Sequence, residues 1–428
     1  MLVGSTVHRV AIVGGLRIPF ARAMGAYAQY TNQDLLTAAL KAVVDRYQLQ
    51  GVTLGEVAGG AVMKHSRDFN LTREAMLSTG LAPETPAFDL QRACGTSLEN
   101  AILIGAKIAL GQIDSGIAAG VDSASDVPIV YPRSYQQLLL KSARGRSFME
   151  KLSPWFGLRP KHFKPVTPGV AEPRTGLSMG QSCEQMAKRW GIKREDQDML
   201  AMQSHHKAAA AYESGFMSDL IVPFGGLTVD NNLRRDTSIE KLAKLKPVFD
   251  FSGAGTLTAG NSTPLTDGSA AVLLASEAWA KARNLPILAY LTYGKAAAVD
   301  FVNKEGLLMA PAYAVPRMLK DAGLSLQDFD LYEIHEAFAA QVLCTLKAWE
   351  SAEFCRDNLG LSSPLGSIDR NKMNVVGSSL AVGHPFAATG ARIIAVLAKL
   401  LATRNAKRGL ISVCTAGGMG VTAILERA

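Results

Sequence analysis

One cysteine lies where a predicted strand meets a predicted helix. Cys94 follows a short run that can form a strand, and helical apolar spacing begins at Leu98 and continues to Leu110. The hydroxyls of Thr96 and Ser97 are expected to accept hydrogen bonds from the first free N–H groups of this helix. A cysteine at the positive end of a helix dipole is expected to have a lowered pKa and to act as a nucleophile. The alternative is a buried structural cysteine beside a capped helix, and this stretch alone leaves it open.

Three other stretches combine a reactive side chain with the end of a predicted element. Segment 335–339 (HEAFA) follows a predicted strand, segment 383–385 (GHP) opens a predicted helix, and segment 414–420 (CTAGGMG) follows another strand. Open α/β sheets bind ligands at strand carboxyl ends and helix N-termini, so these stretches are candidate reaction loops. Each also has a simpler interpretation: a capping histidine, a turn histidine before proline, and a tight glycine turn.

Predicted strands and helices alternate along most of the chain. The apolar periodicity predicts strands at 8–15, 57–63, 116–120, 270–275, 287–293, 331–334 and 409–413. It predicts helices at 31–49, 71–79, 98–110, 175–190, 192–216, 314–322 and 388–401. This alternation predicts an α/β fold with a largely parallel sheet. The layout repeats after about residue 286, which places His384 in the second half roughly where Cys94 stands in the first.

Composition indicates a folded protein of two or three domains that binds acidic ligands. The chain has 428 residues, 48% of them hydrophobic, and a net charge of +8, which suits phosphorylated cofactors, nucleic acid or anionic lipid. Five scattered cysteines without a CxxC pair favour a reducing, cytoplasmic location and predict no metal site. No secretory signal is predicted at the N-terminus, and the apolar run 393–402 is too short to span a bilayer.

Residues 128–168 have a different composition from the rest of the chain. This segment is rich in proline, serine and aromatic residues, and its only acidic residue is Glu150. Its basic residues are Arg133, Lys141, Arg144, Arg146, Lys151, Arg159, Lys161 and Lys164. Two interpretations stay open: a solvated surface insertion, or a basic surface that contacts a partner, a membrane face or a cofactor phosphate.

Together the four reactive stretches resemble the thiolase family. The cysteine loop, the HEAF box, the GHP box and the C-terminal CTAGGMG box occur in the family's order. The TAGNS loop at 258–262 and the RIPF segment at 17–20 also look like that family. The resemblance covers nearly the whole chain except about 131–174. It implies a five-layer αβαβα sandwich of two similar halves with an inserted lid.

The resemblance implies an acyl transfer between thiols. A thiolase-like enzyme splits a 3-oxoacyl-CoA with free CoA into acetyl-CoA and a shortened acyl-CoA, and it also runs backwards as a Claisen condensation. By resemblance, Cys94 is the nucleophile that carries the acyl group as a thioester. His384 is implied as its base, and Cys414 as the acid/base that gives or takes the proton at carbon.

Two oxyanion holes are also implied. One uses the His384 side chain with a water held by His335, and the other uses the backbone N–H groups of Cys94 and Ala416. The commonest family pattern has asparagine at 335 and glycine at 416. Alanine keeps the N–H group if its φ stays negative. A histidine at 335 can still orient the water, but its protonation state is expected to become a new pH variable. The HEAF box is similar to the thiolase subunits of fatty-acid β-oxidation complexes.

The resemblance also implies the binding residues and the organisation of the chain. Substrate is expected to contact Met179, Ala259, Thr263, Ala337 and Phe338. Coenzyme A is expected as a substrate, with no permanently bound cofactor. The expected domains are 1–126 plus 265–284, the inserted lid 127–264, and 285–428.

The same resemblance implies an assembly, partners and a function for the protein. A homodimer or homotetramer is implied, with an enoyl-CoA hydratase/3-hydroxyacyl-CoA dehydrogenase as a further partner, and with no nucleic acid and no transmembrane segment. The main hypothesis is a β-oxidation 3-ketoacyl-CoA thiolase. The alternatives are a short-chain acetyl-CoA acetyltransferase and a non-catalytic acyl-CoA or lipid-binding protein that keeps the fold.

Overall fold

The structure is a computed structural model that describes residues 7–428. The prediction about a secretory signal concerns in part residues 1–6, which lie outside the described residues. The strands are β1 (Val10–Arg17), β2 (Ala21–Arg22), β3 (Glu56–Gly59), β4 (Ala87–Asp89), β5 (Ser115–Asp122), β6 (Thr266–Ser276), β7 (Ala289–Ala298), β8 (Leu331–Ile334), β9 (Arg408–Thr415) and β10 (Met419–Arg427).

The predicted helices are present, with ends that differ from the prediction by a few residues in either direction. They are α1 (Asn32–Arg46), α2 (Leu71–Leu77), α3 (Thr96–Ala109), α4 (Arg133–Arg144), α5 (Phe148–Leu152), α6 (Met179–Arg189), α7 (Arg194–Glu213), α8 (Ile239–Ala243), α9 (Glu277–Ala282), α10 (Pro311–Ala322), α11 (Ala339–Glu350), α12 (Ala352–Leu359), α13 (Ser379–Val382) and α14 (Thr389–Thr403). Short 3-10 turns occupy Ser66–Asp68, Ser153–Gly157, Pro160–Phe163, Arg370–Lys372 and Phe386–Ala388.

The strands form a mixed sheet, so the prediction of a largely parallel sheet is wrong. The hydrogen-bonded order is β4-β3-β5-β6-β1-β7-β10-β9-β8, with β2 on β6. Among the ten strands of the described chain, only β3–β4, β3–β5 and β8–β9 pair in parallel. β10 runs antiparallel to β9 because a three-residue turn joins them directly. β6 is antiparallel to both its neighbours because the chain enters it from the long segment after β5.

The two halves of the chain repeat the same strand order. The first half runs β1-β6-β5-β3-β4 and the second runs β7-β10-β9-β8, with the same sequence of antiparallel and parallel pairings. A parallel bridge between Tyr332 and Met373 stands where β4 pairs in the first half. The helix that follows this position is α3 in the first half and α14 in the second. The predicted duplication is therefore confirmed.

Alternate faces of each strand build a five-layer αβαβα sandwich. Helices α1 and α2 pack on the outer face of the first half-sheet through Val13, Ile117 and Leu273. Helices α3 and α14 lie together between the half-sheets, and the inward faces of the strands cover them. Helices α10 and α11 cover the outer face of the second half-sheet. The strict inside–outside alternation follows from the two-residue period of a strand.

The central helices hold the halves together more than the sheet does. Strands β1 and β7 pair through only two residues on each side. By contrast, a Cβ added at Gly390 of α14 would lie 2.3 Å from the backbone nitrogen of Leu98 in α3. The backbone N–H of Ala391 donates to the Ser97 hydroxyl across the same contact (2.8 Å). Close helix contact of this kind requires glycine at the crossing.

The segment between β5 and β6 carries α4–α8. Its first part is largely exposed, whereas α6 and α7 bury one face against the second half. A buried bidentate ion pair between Arg17 and Asp230 (2.5 and 2.7 Å) anchors its far end to the first half. Residues 175–178 precede α6 instead of forming its start as predicted, because Ser178 caps the helix. The predicted three-domain boundaries stay a prediction.

Helix α14 and the turn before it are apolar over 18 residues. The window Phe386–Thr403 is long and apolar enough to cross a membrane, and 78% of it is buried inside the protein. The apolar stretch is therefore longer than the run 393–402, and the prediction that it is too short to span a bilayer is wrong by length alone. Lys399 does not interrupt the stretch, because its ammonium group reaches the carbonyl of Phe216 (2.5 Å). Its hydrophobicity is that of a core helix between two sheets.

Candidate active site

A strained turn presents Cys94 at the start of α3. Strand β4 ends at Asp89, and the chain then turns through Ala93, which has a positive φ of 44°. The N-cap of α3 is Gly95, and no side chain caps it. The prediction that Thr96 and Ser97 cap this helix is therefore wrong, because the Thr96 hydroxyl donates to the carbonyl of Ala93 and Ser97 caps α14 instead. The Thr96 hydroxyl thus stabilises the turn before α3, and the Ser97 hydroxyl stabilises the contact between α3 and α14.

The Cys94 thiol is not pre-ionised. Part of its surface remains accessible, but burial of the sulfur raises the pKa of Cys94 to about 12. The backbone N–H groups of Ala416 and of Cys94 itself point at the sulfur and lower the pKa, while the Asp122 carboxylate raises it. The predicted lowering by the helix start is thus outweighed by desolvation. A base must remove the proton as the sulfur reacts.

His384 reaches the same point from the second half. It is 3% exposed and follows Gly383, which has a φ of 100°. The carboxylate of Asp122 at the end of β5 holds this loop by accepting from the N–H of Ala387 (2.8 Å). The Nδ1 atom of His384 lies 2.6 Å from the Thr389 hydroxyl, so Nε2 is left facing Cys94 without a partner. This is the arrangement a base for the thiol requires.

His335 follows β8 and lies against His384. The two rings are 4.1 Å apart between centroids, at an angle of 47°. The ligand-type atoms of Cys94, His335 and His384 all lie within 4.8 Å of one another. The Nδ1 atom of His335 is 2.8 Å from the Ser379 hydroxyl, and its Nε2 is buried without a partner. Two imidazole nitrogens therefore converge on the sulfur.

Both histidines are neutral in this environment. Burial lowers the pKa of His384 to about 3 and the pKa of His335 well below its usual value, with the nearby Arg392 charge acting in the same direction. The expectation that His335 adds a pH variable is therefore wrong, because its ring stays neutral throughout the physiological range. Sulfur and neutral imidazole are also atoms that Zn²⁺ binds, and among residues 7–428 this is the one cluster with such spacing. The predicted absence of a metal stays a prediction.

Cys414 and Ala416 lie on the turn between β9 and β10. Cys414 is 1% exposed; burial raises the pKa of its thiol well above the usual value, and the nearby Cys94 raises it further. The turn contains two left-handed glycines, Gly417 (φ 75°) and Gly418 (φ 68°), whereas Ala416 is not left-handed. Alanine therefore fits at 416, and its N–H points at the Cys94 sulfur.

The same turn is held from the inserted segment. The N–H of Gly417 donates to the Glu172 carboxylate (2.8 Å), and the carbonyl of Gly418 accepts from Val299 (2.8 Å). These two contacts fix the peptides on either side of the glycine pair. The direction of the neighbouring Ala416 N–H therefore depends partly on the inserted segment.

Most of the predicted binding residues meet beside Cys414. Met179, Ala337 and Phe338 belong to one apolar cluster with Cys414. Thr263 donates both its N–H and its hydroxyl to the carbonyl of Ala337 (3.1 Å each). Ala259 lies exposed on the same loop, outside the cluster. The structure thus brings four of the five together, and their contact with substrate stays a prediction.

Sequence reasoning missed the residues that orient the site. They are Asp122, Glu172, Ser379 and Thr389. Asp122 ends β5, and Thr389 begins α14, so both have element-end positions that could have drawn attention. Ser379 likewise begins α13, whereas Glu172 has no local signal, because its partner Gly417 lies far away in the sequence.

Comparisons with known proteins agree over the full chain. The family model "Thiolase, N-terminal domain" matches residues 10–278, and "Thiolase, C-terminal domain" matches residues 285–427. The 3-ketoacyl-CoA thiolases of Yersinia pestis (strain Pestoides F) and Yersinia pseudotuberculosis (serotype O:1b) are 42% identical over 424 residues, which cover 98% of this chain and 97% of each relative.

Solved structures show the same architecture. The acetyl-CoA acetyltransferase of Bacillus anthracis superposes with a TM-score of 0.83 at 30% identity, covering 99% of this chain and 100% of that one. Human mitochondrial 3-ketoacyl-CoA thiolase in complex with CoA superposes with a TM-score of 0.81 at 29% identity, covering 100% of both chains.

Proposed function

The chain belongs to the thiolase family, and we propose that it is a 3-ketoacyl-CoA thiolase of fatty-acid β-oxidation. It is an acyltransferase that cleaves 3-oxoacyl-CoA with CoA to acetyl-CoA and an acyl-CoA shortened by two carbons. The observation that carries the proposal is that two neutral imidazoles and two backbone N–H groups converge on the Cys94 thiol, in a chain with full-length 3-ketoacyl-CoA thiolase relatives. The second thiol, that of Cys414, lies near enough to Cys94 for Cys94 to raise its pKa.

In the first half-reaction, Cys94 attacks the 3-oxo carbon. The thiol proton passes to Nε2 of His384 as the S–C bond forms, because neither group is ionised beforehand. The N–H groups of Cys94 and Ala416 stabilise the oxyanion on that carbon. The C2–C3 bond then breaks, and its electron pair forms the acetyl-CoA enolate, whose oxygen is stabilised at His335 and His384. Cys414 donates the proton to C2.

In the second half-reaction, CoA takes the acyl group from Cys94. The Cys414 thiolate takes the proton of the CoA thiol, and the CoA sulfur attacks the thioester carbon. The same backbone N–H groups stabilise the second tetrahedral intermediate. The Cys94 sulfur leaves and recovers its proton from the His384 imidazolium, so that all groups return to their starting states.

Coenzyme A is proposed to lie across the inserted segment. A structural relative is a complex with CoA, and the apolar cluster of Met179, Ala337 and Phe338 suits a pantetheine and acyl channel. Thr263 and Ala259 are proposed to line its mouth. Basic residues of 133–164 are candidates for the phosphate groups, and no permanently bound cofactor is required by the steps above.

The test is a thiolysis assay across 3-oxoacyl-CoA chain lengths, with Cys94→Ser as the background control. We expect turnover on medium or long chains and none in the variant. Turnover confined to acetoacetyl-CoA would select the short-chain alternative, which the likeness to the Bacillus anthracis acetyl-CoA acetyltransferase favours. Wild-type protein that binds acyl-CoA without cleaving any chain length would support the non-catalytic alternative, which the presence of Cys94, His384 and Cys414 argues against.

The proposal extends to the domain division, the assembly and the location of the protein. We propose the division 1–126 plus 265–284, 127–264 and 285–428, a homodimer or homotetramer, and a cytoplasmic location, which the five unpaired cysteines favour. The inserted segment exposes apolar side chains, such as Phe148 and Phe156, beside its basic residues. This surface is proposed to dock a hydratase/dehydrogenase partner. Unchanged co-purification after Arg144→Glu, Arg146→Glu and Lys151→Glu together would contradict it, and changed lipid binding would indicate a membrane face instead.

A further inference from the structure

The neutral His335 ring can exist as two tautomers, with its proton on either Nδ1 or Nε2. Its Nε2 is fully buried, has no partner among residues 7–428 and lies in the cluster with Cys94 and His384. With a proton, Nε2 is a donor that can stabilise the enolate oxygen, directly or through one water. Without a proton, it is an acceptor and would repel that oxygen. The inference below concerns this choice, and its catalytic meaning rests on the thiolase reaction proposed above.

The hydrogen bonds of the Ser379 hydroxyl determine which tautomer of His335 is favoured. Its Oγ accepts from Nη2 of Arg392 (3.1 Å) and lies 2.8 Å from Nδ1 of His335. Within residues 7–428 it has no third side-chain or backbone partner. If Nδ1 carried the proton, Oγ would accept twice, and the buried hydroxyl hydrogen would have no acceptor. If Nδ1 is bare, the hydroxyl donates to it, and both the hydroxyl hydrogen and Nδ1 are satisfied.

Arg392 keeps the Ser379 hydroxyl donating to Nδ1 of His335, because a guanidinium can only donate hydrogen bonds. The guanidinium is 3% exposed on α14, and its Nη2 donates to the hydroxyls of Ser378 and Ser379. A guanidinium has no acceptor atom, so it always occupies a lone pair of the Ser379 oxygen. Burial lowers the pKa of Arg392 to about 10, which leaves the guanidinium charged at neutral pH. The carboxyl groups of Glu333 and Glu336 oppose this lowering of the pKa, whereas the Arg17 charge adds to it.

We propose that Arg392, acting through Ser379, is a positioning residue that fixes His335 as the Nε2–H tautomer, a permanent hydrogen-bond donor in the oxyanion hole. The proposal explains how histidine can replace the asparagine of the commonest thiolase pattern. An asparagine amide always carries N–H donors, whereas a neutral imidazole carries its proton on either nitrogen. The hydrogen bonds from Arg392 to Ser379 and from Ser379 to His335 leave only the Nε2–H tautomer.

His384 provides an internal contrast. Its Nδ1 also meets a hydroxyl, that of Thr389 (2.6 Å), but in the described part of the chain no cation donates to that oxygen. The Thr389 oxygen therefore keeps a lone pair that no cation occupies, and its hydroxyl can turn to accept from Nδ1 when His384 carries both protons. His384 can accordingly present Nε2 as an acceptor for the Cys94 proton and later as a donor, as the base role requires. The two adjacent histidines thus have different roles, His335 as a fixed donor and His384 as a base, because the surroundings of their hydroxyl partners differ.

The tautomer can be observed in the resting protein. We expect the ¹⁵N resonances of histidine-labelled protein at neutral pH to show Nε2 of His335 protonated and Nδ1 bare, with the signals assigned by their loss in His335→Asn. Protonation of Nδ1 would overturn the proposal. This measurement needs no turnover, so it stands even if the thiolysis assay fails, and a failed assay with the expected tautomer would count against the proposed function alone.

Kinetics of matched variants test the consequence. Ser379→Ala should lower kcat about tenfold or more, with KM for CoA little changed, because a donor is no longer held in place. Ser378→Ala removes a hydroxyl that contacts the same Nη2 atom but not His335, and should stay within about twofold of wild type. In a His335→Asn background, Ser379→Ala should cost less than about threefold, since asparagine has no tautomer to fix.

Equal losses from Ser379→Ala in both backgrounds, or equal losses from Ser378→Ala and Ser379→Ala, would overturn the proposal. Arg392→Gln should shift the His335 ¹⁵N signals towards a mixture of tautomers. If that variant does not fold, the pair of serine variants and the NMR spectrum of wild type still decide the question.

Discussion

The loops that carry Cys94 and His384 occupy the same topological position in the two halves, yet they are built differently. The Cys94 loop is short, strained at Ala93 and leads directly into α3. The His384 loop is longer, turns at a left-handed glycine and passes through a 3-10 turn before α14. The repeated topology therefore fixes where the two reactive groups lie, and the different loops fix what each group does.

Each loop is held by the other half. Asp122 in the first half accepts from the N–H of Ala387, and Ser97 caps the first turn of α14. In return, Ala416 in the second half aims its N–H at the Cys94 sulfur. Neither half contains a complete site, so exchanging groups between the loops, or loosening their contact, tests the comparison.

The largest expected effect comes from removing the group that only the first loop supplies. Cys94→Ala should abolish the acyl adduct seen by mass spectrometry after brief exposure to substrate, and kcat should fall about 10⁴-fold or more. Cys355→Ala is a suitable control, because it removes another buried thiol, one that contacts the carbonyls of Ala348 and Trp349. An acyl adduct on Cys414 in the Cys94→Ala protein would reverse the roles assigned to the two thiols.

The second expected effect separates the two thiols by function. Cys414→Ala should still form the acyl adduct on Cys94, because the first sulfur and its base remain. It should lose about 10²- to 10⁴-fold in turnover, since no group is left to move the proton at C2. Exchange of the acetyl-CoA α-protons with deuterated water, followed by NMR, measures this step directly. Unimpaired exchange in the variant would refute the assignment.

The third expected effect is a change in pH dependence. With the pKa of Cys94 raised to about 12 and that of His384 lowered to about 3, the free enzyme holds a neutral pair between these values. Moving the proton from sulfur to imidazole neither takes up nor releases protons, so alkylation of Cys94 by iodoacetamide should be independent of pH from about 5 to 9.

The matched variant for this experiment is His384→Ala. Without the imidazole, the thiolate forms only by loss of a proton to solvent, and alkylation should rise about tenfold per pH unit below the pKa of the thiol. A sigmoidal step near pH 8 in the wild-type protein would mean that the thiol ionises independently, against the neutral-pair interpretation.

The smallest expected effect concerns the contact between the central helices. Gly390→Ala places a Cβ 2.3 Å from the Leu98 nitrogen, and we expect the free energy of unfolding to fall by about 1–3 kcal/mol. Gly105→Ala is the control, since its Cβ would meet only flexible side-chain ends at 3.1 Å or more. Equal stability of the two variants in urea unfolding would show that the crossing is not tightly packed.

The sequence predicted the elements and the reactive groups better than the connections between them. Apolar periodicity located β1, β8, α3 and α14 to within a few residues, because their buried faces leave a local pattern. Strand direction was predicted wrongly, because antiparallel entry into β6 and β10 depends on the path of the chain and not on strand composition.

The electrostatics of the site could not be predicted from local sequence. A helix start suggested a lowered pKa for Cys94, but burial by residues from both halves outweighs it. His335 was expected to titrate, yet its surroundings keep it neutral. Desolvation depends on all neighbours in space, and for these groups the neighbours include Asp122 and Arg392, which no local motif marks.

The narrow strand contact between the halves has a consequence for folding. Because β1 and β7 share only two residue pairs, each half-sheet can gain its secondary structure before the halves dock. The acyl transfer chemistry, by contrast, exists only once α3 and α14 lie side by side. Recovery of thiolase activity during refolding therefore measures the rate at which the two halves dock. We expect it to lag behind the return of the far-UV circular dichroism signal.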